Sequence, residues 1–434
     1  MTAPLEPPIR IGFVTQIFPW VTQTFTYNEM LSWVRAGLDV EPIAFRKPRP
    51  GVRGSFGAPK YFAPRAAQYT SAFGFNLWLS GLGLAARHPF VAASTLALVA
   101  TRPYEKRTTL RLRATAIWSW ARALPIAALA RQRDYEILHA DFADQTATSS
   151  WVASQLTGIP FSFRSHGSFN PQLLDKKVRA AALVLCISEY DRKMILEKSG
   201  TGAAEKLIVS YVGVDLDSWG PPPREASTEN PAILCVGTLQ EKKGQRYLID
   251  ACAMLHREGL EFRCTLMGDG PDKEMLQQMI SNAGLDAKVQ ITGYLPGEDV
   301  RAATLKAMVV CLPCVVAENG DQDGLPVVLM EGMAAGKPCV STPVAGITEL
   351  IVHESTGLLV PERDARALAD ALRRLLADTD LRRRLGMAAR QCVEARFDLW
   401  RNGRTSADFL LERSRHAKRA RPYRSRNLSA VEDA

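Results

Sequence analysis

Short apolar runs that are typical of buried strands alternate with helical patterns along this chain, and the alternation stops once before it resumes. A strand can pair parallel to its neighbour only through a crossover segment, which is usually a helix. Regular alternation of this kind therefore predicts a parallel sheet covered by helices. In the first half of the chain, the predicted strands are residues 9–14, 40–45, 137–139, 161–164, 183–187 and 208–211.

The interruption lies at residues 220–231, whose sequence GPPPREASTENP is rich in proline and has no apolar periodicity. Such a segment is typical of a linker between domains. The sequence thus predicts two doubly wound, Rossmann-like α/β domains that face a central cleft, and 434 residues are enough for both. Beyond the linker, the predicted strands are residues 232–236, 262–267, 289–292, 309–312 and 339–341.

The domain boundaries follow from these segments. Residues 1–219 form an N-terminal domain, residues 220–231 the linker, and residues 232–395 a C-terminal domain. We expect residues 396–412 to form a helix that returns to the N-terminal domain, and residues 413–434 to form a basic, disordered tail. Parallel sheets bind ligands at the carboxyl ends of their strands, so the cleft between the domains is the expected site.

The net charge of +9 favours anionic partners, such as a membrane surface or a phosphorylated small molecule. The sequence contains no recognised nucleic-acid-binding module, so we expect no nucleic-acid partner. Residues 102–133 are rich in arginine and contain Leu110, Ile117 and Trp118. This stretch either rests on anionic lipid or forms a helix packed against its domain.

Many of the eight cysteines lie within apolar runs, as Cys186 does in LVLCIS, which is typical of buried thiols in a reducing compartment. Cys311 and Cys314 have CxxC spacing, but there is no second pair or nearby histidine cluster, so we expect no metal site. The N-terminal residues lack the pattern of a signal peptide, and there is no clean run of about 20 apolar residues. We therefore expect a cytoplasmic protein without a spanning helix.

A loop with the sequence GTLQEKKG occupies residues 237–244, between a predicted strand and a predicted helix. Gly237 lets the backbone approach a ligand closely, and free N–H groups at the start of a helix favour an anion. Lys243 adds a full positive charge beside them. The loop suits a diphosphate, although an ordinary turn with surface lysines would have the same pattern.

A second motif, DGLPVVLME, runs from Asp323 to Glu331 and opens a predicted helix. Pro326 falls in the first helical turn, so Asp323 is either the N-cap of the helix or a ligand for substrate hydroxyl groups. Glu331 lies among apolar residues one to two turns further on, where a carboxylate needs a partner. That partner is either a sugar diol or the cation of a buried salt bridge.

His166 follows a predicted strand in the sequence FRSHG. At the carboxyl end of a parallel strand it would face the cleft, where an imidazole can hydrogen-bond a substrate or act as a base. A purely structural histidine is the alternative.

In combination, these motifs resemble those of the retaining glycosyltransferases of family 4, which have the GT-B fold. The resemblance spans roughly residues 9–410 and is strongest over residues 232–360. There, VGTLQEKKG, LMGDGP, DGLPVVLME and VAGITELI occur in the order and spacing of the family. Within the family, the sequence is most similar to transferases of exopolysaccharide assembly, such as colanic acid synthesis.

The resemblance implies a role for each matching residue. Asp323 would contact the hydroxyl groups of the donor sugar, and Glu331 the ribose diol. Lys243 would bind the phosphates, and His166 would lie near the anomeric carbon. This chain has Asp323 where the family has glutamate, and Thr238 where it has arginine. The resemblance also assigns donor-binding positions to Gly237, Thr238, Gly293, Gly324, Leu325 and Pro326, and an acceptor loop to Thr22, Gln23 and Thr24.

The implied activity is transfer of a sugar from a UDP- or GDP-linked donor to a glycan or lipid-linked glycan. Retention at the anomeric carbon is expected, without a metal or another cofactor. The acceptor would lie at the inner face of the cell membrane, so a peripheral association is expected. Two alternatives stay open: a sugar-nucleotide epimerase of GT-B architecture, which needs no acceptor, and a non-catalytic subunit that binds nucleotide sugars.

Overall fold

The structure is a computed structural model that describes residues 8–18, 24–47, 67–102, 109–167, 172–220 and 232–419. The side chains of residues 416–419 are not described. Thr22 and Gln23 of the predicted acceptor loop, residues 221–231 of the predicted linker and residues 420–434 of the predicted tail lie outside these ranges.

The described N-terminal half contains a parallel sheet of seven strands. The apolar run at its centre pairs on both sides, since Ile11 lies opposite Val40 on one neighbour and Ile137 on the other. In chain order the strands are β1 (Arg10–Ile17), β2 (Asp39–Arg46), β3 (Gln68–Tyr69), β4 (Ile137–Ala140), β5 (Phe161–Ser165), β6 (Leu183–Cys186) and β7 (Leu207–Val209). Their order in the sheet is β3-β2-β1-β4-β5-β6-β7.

Helices cover both faces of this sheet. Because successive residues of a strand point to opposite faces, Phe13 and Val14 of β1 belong to two separate apolar cores. The helices of this half are α1 (Thr24–Arg35), α2 (Phe75–Arg87), α3 (Pro89–Thr101), α4 (Leu110–Gln132), α5 (Gln145–Thr157), α6 (Leu174–Ala180), α7 (Glu189–Ser199) and α8 (Leu216–Trp219).

The C-terminal half contains a second parallel sheet, of six strands within the described ranges. The strands are β8 (Ala232–Val236), β9 (Arg263–Met267), β10 (Val289–Gly293), β11 (Val309–Leu312), β12 (Cys339–Ser341) and β13 (Leu358–Leu359), in the order β10-β9-β8-β11-β12-β13. The helices are α9 (Gln245–Arg257), α10 (Lys273–Asn282), α11 (Gly297–Lys306), α12 (Val327–Ala334), α13 (Ile347–Leu350), α14 (Ala365–Ala377), α15 (Thr379–Arg396) and α16 (Leu399–Arg419). Two Rossmann-like domains are therefore present, and this prediction is confirmed.

Three consecutive helices, α2 to α4, lie between β3 and β4. The second half of α4 packs against the domain, since residues 123–130 are all buried. Its first half is largely exposed. No single helix in the described ranges is long and apolar enough to cross a membrane. The pair α2 and α3 reaches the required length and apolar composition only when the two helices are taken together, and they are bent by 103° at their junction.

The last helix, α16, packs against α1 of the N-terminal domain. The indole of Trp33 donates a hydrogen bond to Ser406 at 2.8 Å, and Leu410 joins the same apolar core. The helix continues to Arg419, past residue 412 where the sequence analysis ended it. Its extra turns stay helical because Ser414 is buried and the guanidinium of Arg413 donates to the carbonyl of Glu205 at 3.0 Å.

Candidate active site

A cavity of about 450 Å³ lies between the two sheets, at the carboxyl ends of their strands. His166 reaches it directly after β5, Gly237 after β8 and Gly268 after β9. Local sequence explains these positions, because each strand ends in a polar or glycine-containing loop. The cavity is therefore lined by loops from both domains, as ligand sites in open parallel sheets usually are.

The loop after β8 brings a lysine to the cavity. A short 3₁₀ turn, Glu241–Lys243, precedes Gly244, whose φ of +68° directs the chain into α9. The ammonium of Lys243 forms an ion pair with the carboxylate of Asp323. Burial alone would lower the pKa of Lys243, but Asp323 outweighs it and holds the pKa above its usual value.

The same ion pair keeps the carboxylate of Asp323 charged. Burial would raise the pKa of its carboxyl, but Lys243 and Lys242 together hold that pKa below its usual value. Helix α12 begins at Val327, and no side chain in the described part of the chain caps its N-terminus. The interpretation of Asp323 as an N-cap is therefore wrong, because the loop places the residue one turn too early and aims it at Lys243.

Glu331 lies one turn into α12 and lines the cavity. It is half-buried, and its carboxylate has no hydrogen bond or ion pair within the described part of the chain. Burial raises its pKa to about 7. Because no described cation pairs with it, the buried salt bridge considered from the sequence is not formed, and Glu331 is open to a ligand.

The imidazole of His166 lies between the rings of Phe25 and Phe142, with centroid distances of 4.6 and 4.5 Å. Its Nε2 atom is 3.5 Å from Oδ1 of Asp141, which is fully buried. The other carboxylate oxygen of Asp141 accepts hydrogen bonds from Thr15 at 3.1 Å and Thr26 at 2.8 Å. This network fixes the carboxylate against the imidazole edge.

Sequence reasoning missed Asp141. The available signal was its position two residues after the predicted strand 137–139, which lies next to the strand that carries His166. It also missed Phe25 and Phe142, whose contact with the imidazole depends on the packing of α1 and the β4 loop.

Most of the remaining predicted site residues line the same cavity. Thr24 does so as the first residue of α1. Gly293 ends β10 and does not line the cavity itself, but the next residue, Tyr294, does. The other predicted positions in the lining are Gly237, Thr238, Gly324, Leu325 and Pro326.

The two domains touch beside the cavity. Gly167 has a φ of +75°, and a Cβ atom on Gly324 would lie 2.8 Å from the carbonyl oxygen of His166, so neither position tolerates a side chain easily. Gln322 donates a hydrogen bond to the hydroxyl of Tyr190 at 2.9 Å. These contacts hold the loop before α12 against the strand end that carries His166.

Two parallel-sheet domains that face a central cleft form the architecture of the GT-B class of glycosyltransferases. A model of the family described as glycosyl transferases group 1 matches residues 221–392. The chain is 31% identical over 407 residues to the putative colanic acid biosynthesis glycosyltransferase WcaL of Escherichia coli, covering 90% of this chain and 96% of that protein. The protein therefore belongs to the group 1 glycosyl transferases.

Other relatives and solved structures agree with this family and fold. The amylovoran biosynthesis glycosyltransferase AmsK of Erwinia amylovora is 37% identical over 195 residues, which is 45% of this chain and 48% of AmsK. The crystal structure of Anabaena HepE in complex with UDP and glucose matches with a TM-score of 0.65 at 18% identity, over 93% of this chain and 100% of that one. Sucrose-phosphate synthase from Thermosynechococcus elongatus matches with a TM-score of 0.68 at 19% identity, over 94% and 100%. The predicted GT-B fold is confirmed.

Proposed function

We propose that the protein transfers a sugar from a UDP- or GDP-linked donor to a glycan or lipid-linked glycan during synthesis of a surface polysaccharide. The relatives named for colanic acid and amylovoran biosynthesis support the pathway class, and the HepE complex with UDP supports a nucleotide donor. The observation that carries the proposal is the arrangement around one cavity of Lys243, its partner Asp323, and Glu331, which no described residue pairs with.

In this proposal, Lys243 and the backbone of the loop after β8 bind the donor diphosphate. A positioned cation stabilises the charge that develops on the leaving group, which is the largest contribution that a site of this kind can make. Glu331 accepts hydrogen bonds from the ribose diol, and Asp323 accepts them from the donor sugar. Each carboxylate oxygen can accept more than one hydroxyl hydrogen, so Asp323 serves a sugar while it stays paired with Lys243.

Transfer then proceeds with retention. The acceptor hydroxyl attacks the anomeric carbon on the face that the diphosphate leaves, so the new C–O bond forms as the old one breaks and the acceptor proton passes to the diphosphate. His166, backed by Asp141, binds a hydroxyl near the anomeric carbon. We place the reaction at the cytoplasmic face of the membrane, with the enzyme associated peripherally, and the proposal needs no metal or other cofactor.

A donor screen tests the proposal. UDP- and GDP-sugars are incubated with the protein, with and without a lipid-linked glycan, and both nucleoside diphosphate and glycosylated product are quantified. We expect release that depends on the acceptor and falls by about 10²- to 10³-fold in kcat for Lys243→Ala. The matched control is Lys273→Ala. Lys273 is the first residue of α10, its side chain is exposed, and it pairs with Asp269.

Two outcomes contradict the proposal. Conversion of the nucleotide sugar without an acceptor would identify an epimerase. Donor binding by calorimetry without turnover on any acceptor tested would identify a binding subunit.

A further inference from the structure

Helices α2, α3 and α4 present an apolar surface that no other described part of the chain covers. Of the eleven large apolar side chains that are exposed in the described ranges, seven lie on these three helices. Phe90 and Leu110 are 89% and 86% exposed. We call this surface the apolar face, and it consists of Phe75, Leu79, Leu82, Phe90, Leu110, Ile117 and Trp118. A soluble surface rarely gathers so many large apolar groups without a binding partner.

The three helices that carry the face are packed on one another. Phe75, Leu79 and Leu82 follow helical spacing along one side of α2, as Leu110 and Ile117 do along α4. The rings of Trp78 and Trp118 stack with centroids 6.1 Å apart, which joins α2 to α4. The indole of Trp120 donates to Thr95 at 3.0 Å and fixes α3 on α4. The three helices therefore form one packed unit, and this unit carries all seven exposed side chains.

The charged side chains in the described part of this stretch are all of one sign. Residues 67–102 and 109–133 contain no aspartate or glutamate, but they contain Arg87, Arg102, Arg111, Arg113, Arg122, Arg131 and Arg133. Apolar side chains combined with arginines suit the boundary between anionic headgroups and acyl chains. A second copy of this chain suits the face poorly, because a two-fold contact would set the arginines of these helices against the same arginines of the other copy.

The shape of α2 and α3 indicates a shallow insertion. Together they are long and apolar enough to enter a membrane, but they bend by 103° at the junction where Pro89 begins α3. We propose that the α2–α3 hairpin, together with the first half of α4, inserts into the surface of an anionic lipid bilayer. Phe90, at the bend, and Leu110 are the most exposed residues of the face and enter the lipid.

The face is linked to the acceptor side of the cleft. The amide of Gln172 donates to the carbonyl oxygens of Val99 and Arg102, at 2.8 and 2.6 Å, and so holds the C-terminal end of α3. Gln172 lies in the segment that follows His166 in the chain. The face and His166 therefore belong to the same domain, and docking of the face would bring that domain to the surface where a lipid-linked acceptor lies if the proposed function holds.

Vesicle cosedimentation of the full-length protein tests the inference. Vesicles of phosphatidylcholine, with and without phosphatidylglycerol, are compared for the wild type, the double variant Phe90→Glu with Leu110→Glu, and the control Met387→Glu. Met387 is 57% exposed on α15 of the other domain. We expect the wild type to prefer anionic vesicles, the double variant to bind at least about tenfold more weakly, and the control to bind like the wild type.

A second variant separates charge from insertion. Replacement of Arg87, Arg111 and Arg113 by glutamine should remove the preference for phosphatidylglycerol while leaving the thermal melting temperature unchanged. The proposal fails if the wild type binds neither vesicle, or if the double variant binds like the wild type. It also fails if the wild type sediments as a dimer that the double variant dissociates, because the face is then a contact between copies. No donor or acceptor is present, so the result is independent of the transfer reaction.

Discussion

The ionisable side chains of the cavity differ in what balances their charge. Lys243 and Asp323 neutralise each other, whereas Glu331 has no hydrogen bond or ion pair within the described ranges. A half-buried carboxylate without a partner costs free energy until a ligand supplies hydrogen-bond donors. The ligand-free protein therefore carries one unfavourable group, and a diol that binds there would stabilise it.

Replacing Glu331 by glutamine should stabilise the ligand-free protein at high pH. Burial raises the pKa of Glu331 to about 7, above its value in the unfolded chain. A carboxyl with a raised folded pKa favours folding below its unfolded pKa, and this contribution is lost as the pH rises through about 7. At pH 8 we expect Glu331→Gln to unfold with a free energy about 1–3 kcal/mol higher than the wild type, and at pH 5 the difference should be clearly smaller.

Urea unfolding at the two pH values measures this effect. The control is Glu197→Gln, which neutralises an exposed carboxylate on α7 and should change stability little at either pH. An equal effect of Glu331→Gln at pH 5 and pH 8 would contradict the raised pKa of Glu331.

In the same variant, donor affinity should fall, because an amide offers only one acceptor oxygen to a diol.

Asp323 should be sensitive to both its length and its charge. Asp323→Glu moves the carboxylate by about 1.5 Å, and Asp323→Asn leaves the buried ammonium of Lys243 without its counter-charge. We expect kcat/KM for one donor to fall about ten- to a hundredfold in each variant. The control is Asp321→Asn, whose carboxylate is 48% exposed and pairs with Lys242. Near-wild-type kinetics of Asp323→Asn would refute the donor contact.

At the scale of elements, one short helix of the C-terminal domain caps a helix of the N-terminal domain. The carboxylate of Glu349, in α13, accepts hydrogen bonds from the backbone N–H groups of Glu189 and Tyr190, both at 2.9 Å. These groups begin α7, whose positive dipole end favours the negative charge. The hydroxyl of Tyr211 also donates to Glu349 at 2.9 Å. Together with Gln322 and Tyr190, this contact joins the domains beside the cavity.

Loss of the Glu349 contact should favour an open cleft. Glu349→Ala removes three hydrogen bonds across the domains, so we expect kcat to fall by roughly tenfold and the radius of gyration in small-angle scattering to increase. Glu349→Gln keeps one acceptor oxygen and should restore part of the activity. Asp380→Asn, which breaks an exposed ion pair on α15, is the control. If Glu349→Ala matches the wild type in both measurements, the contact does not govern closure.

At the scale of the whole molecule, each domain contributes one part of the proposed reaction. The C-terminal sheet presents the lysine and acids of the donor side, and the N-terminal sheet presents His166 with Asp141. Closure of such a cleft excludes water, which limits hydrolysis of the donor. No group of three histidine, cysteine, aspartate or glutamate side chains that could hold a metal ion occurs within the described residues.

The whole reaction should proceed without a divalent metal. Asp321 and Asp323 have the spacing of a metal-binding Asp-x-Asp motif, but each is paired with a lysine, at 3.0 Å for Asp321 and Lys242. A metal would have to displace two ammonium groups from the site. We therefore expect turnover to persist in excess EDTA and to be unaffected by added Mn²⁺. Loss of activity in EDTA that Mn²⁺ restores would contradict this prediction.

The sequence by itself determined the architecture and the loops of the site. Alternating apolar runs require parallel strands with helical crossovers, and the glycine-containing motif at residues 237–244 follows its strand directly, so its place at the carboxyl edge was predictable. The same local logic placed His166 after β5. These features depend on near neighbours in the chain, where the periodicity and spacing of residues carry the information.

The tertiary structure alone decided which side chains meet. Lys243 and Asp323 are 80 residues apart, and Glu189 and Glu349 are 160 apart. Asp323 pairs with Lys243 rather than capping α12, and Asp141 meets His166 because β4, which it follows, lies beside β5. Local patterns cannot specify such pairs, because the pairs depend on strand order and on how the two sheets pack against each other.

The exposure of Phe90 was likewise decided by tertiary structure, because the packing of α3 on α4 leaves its side chain in solvent.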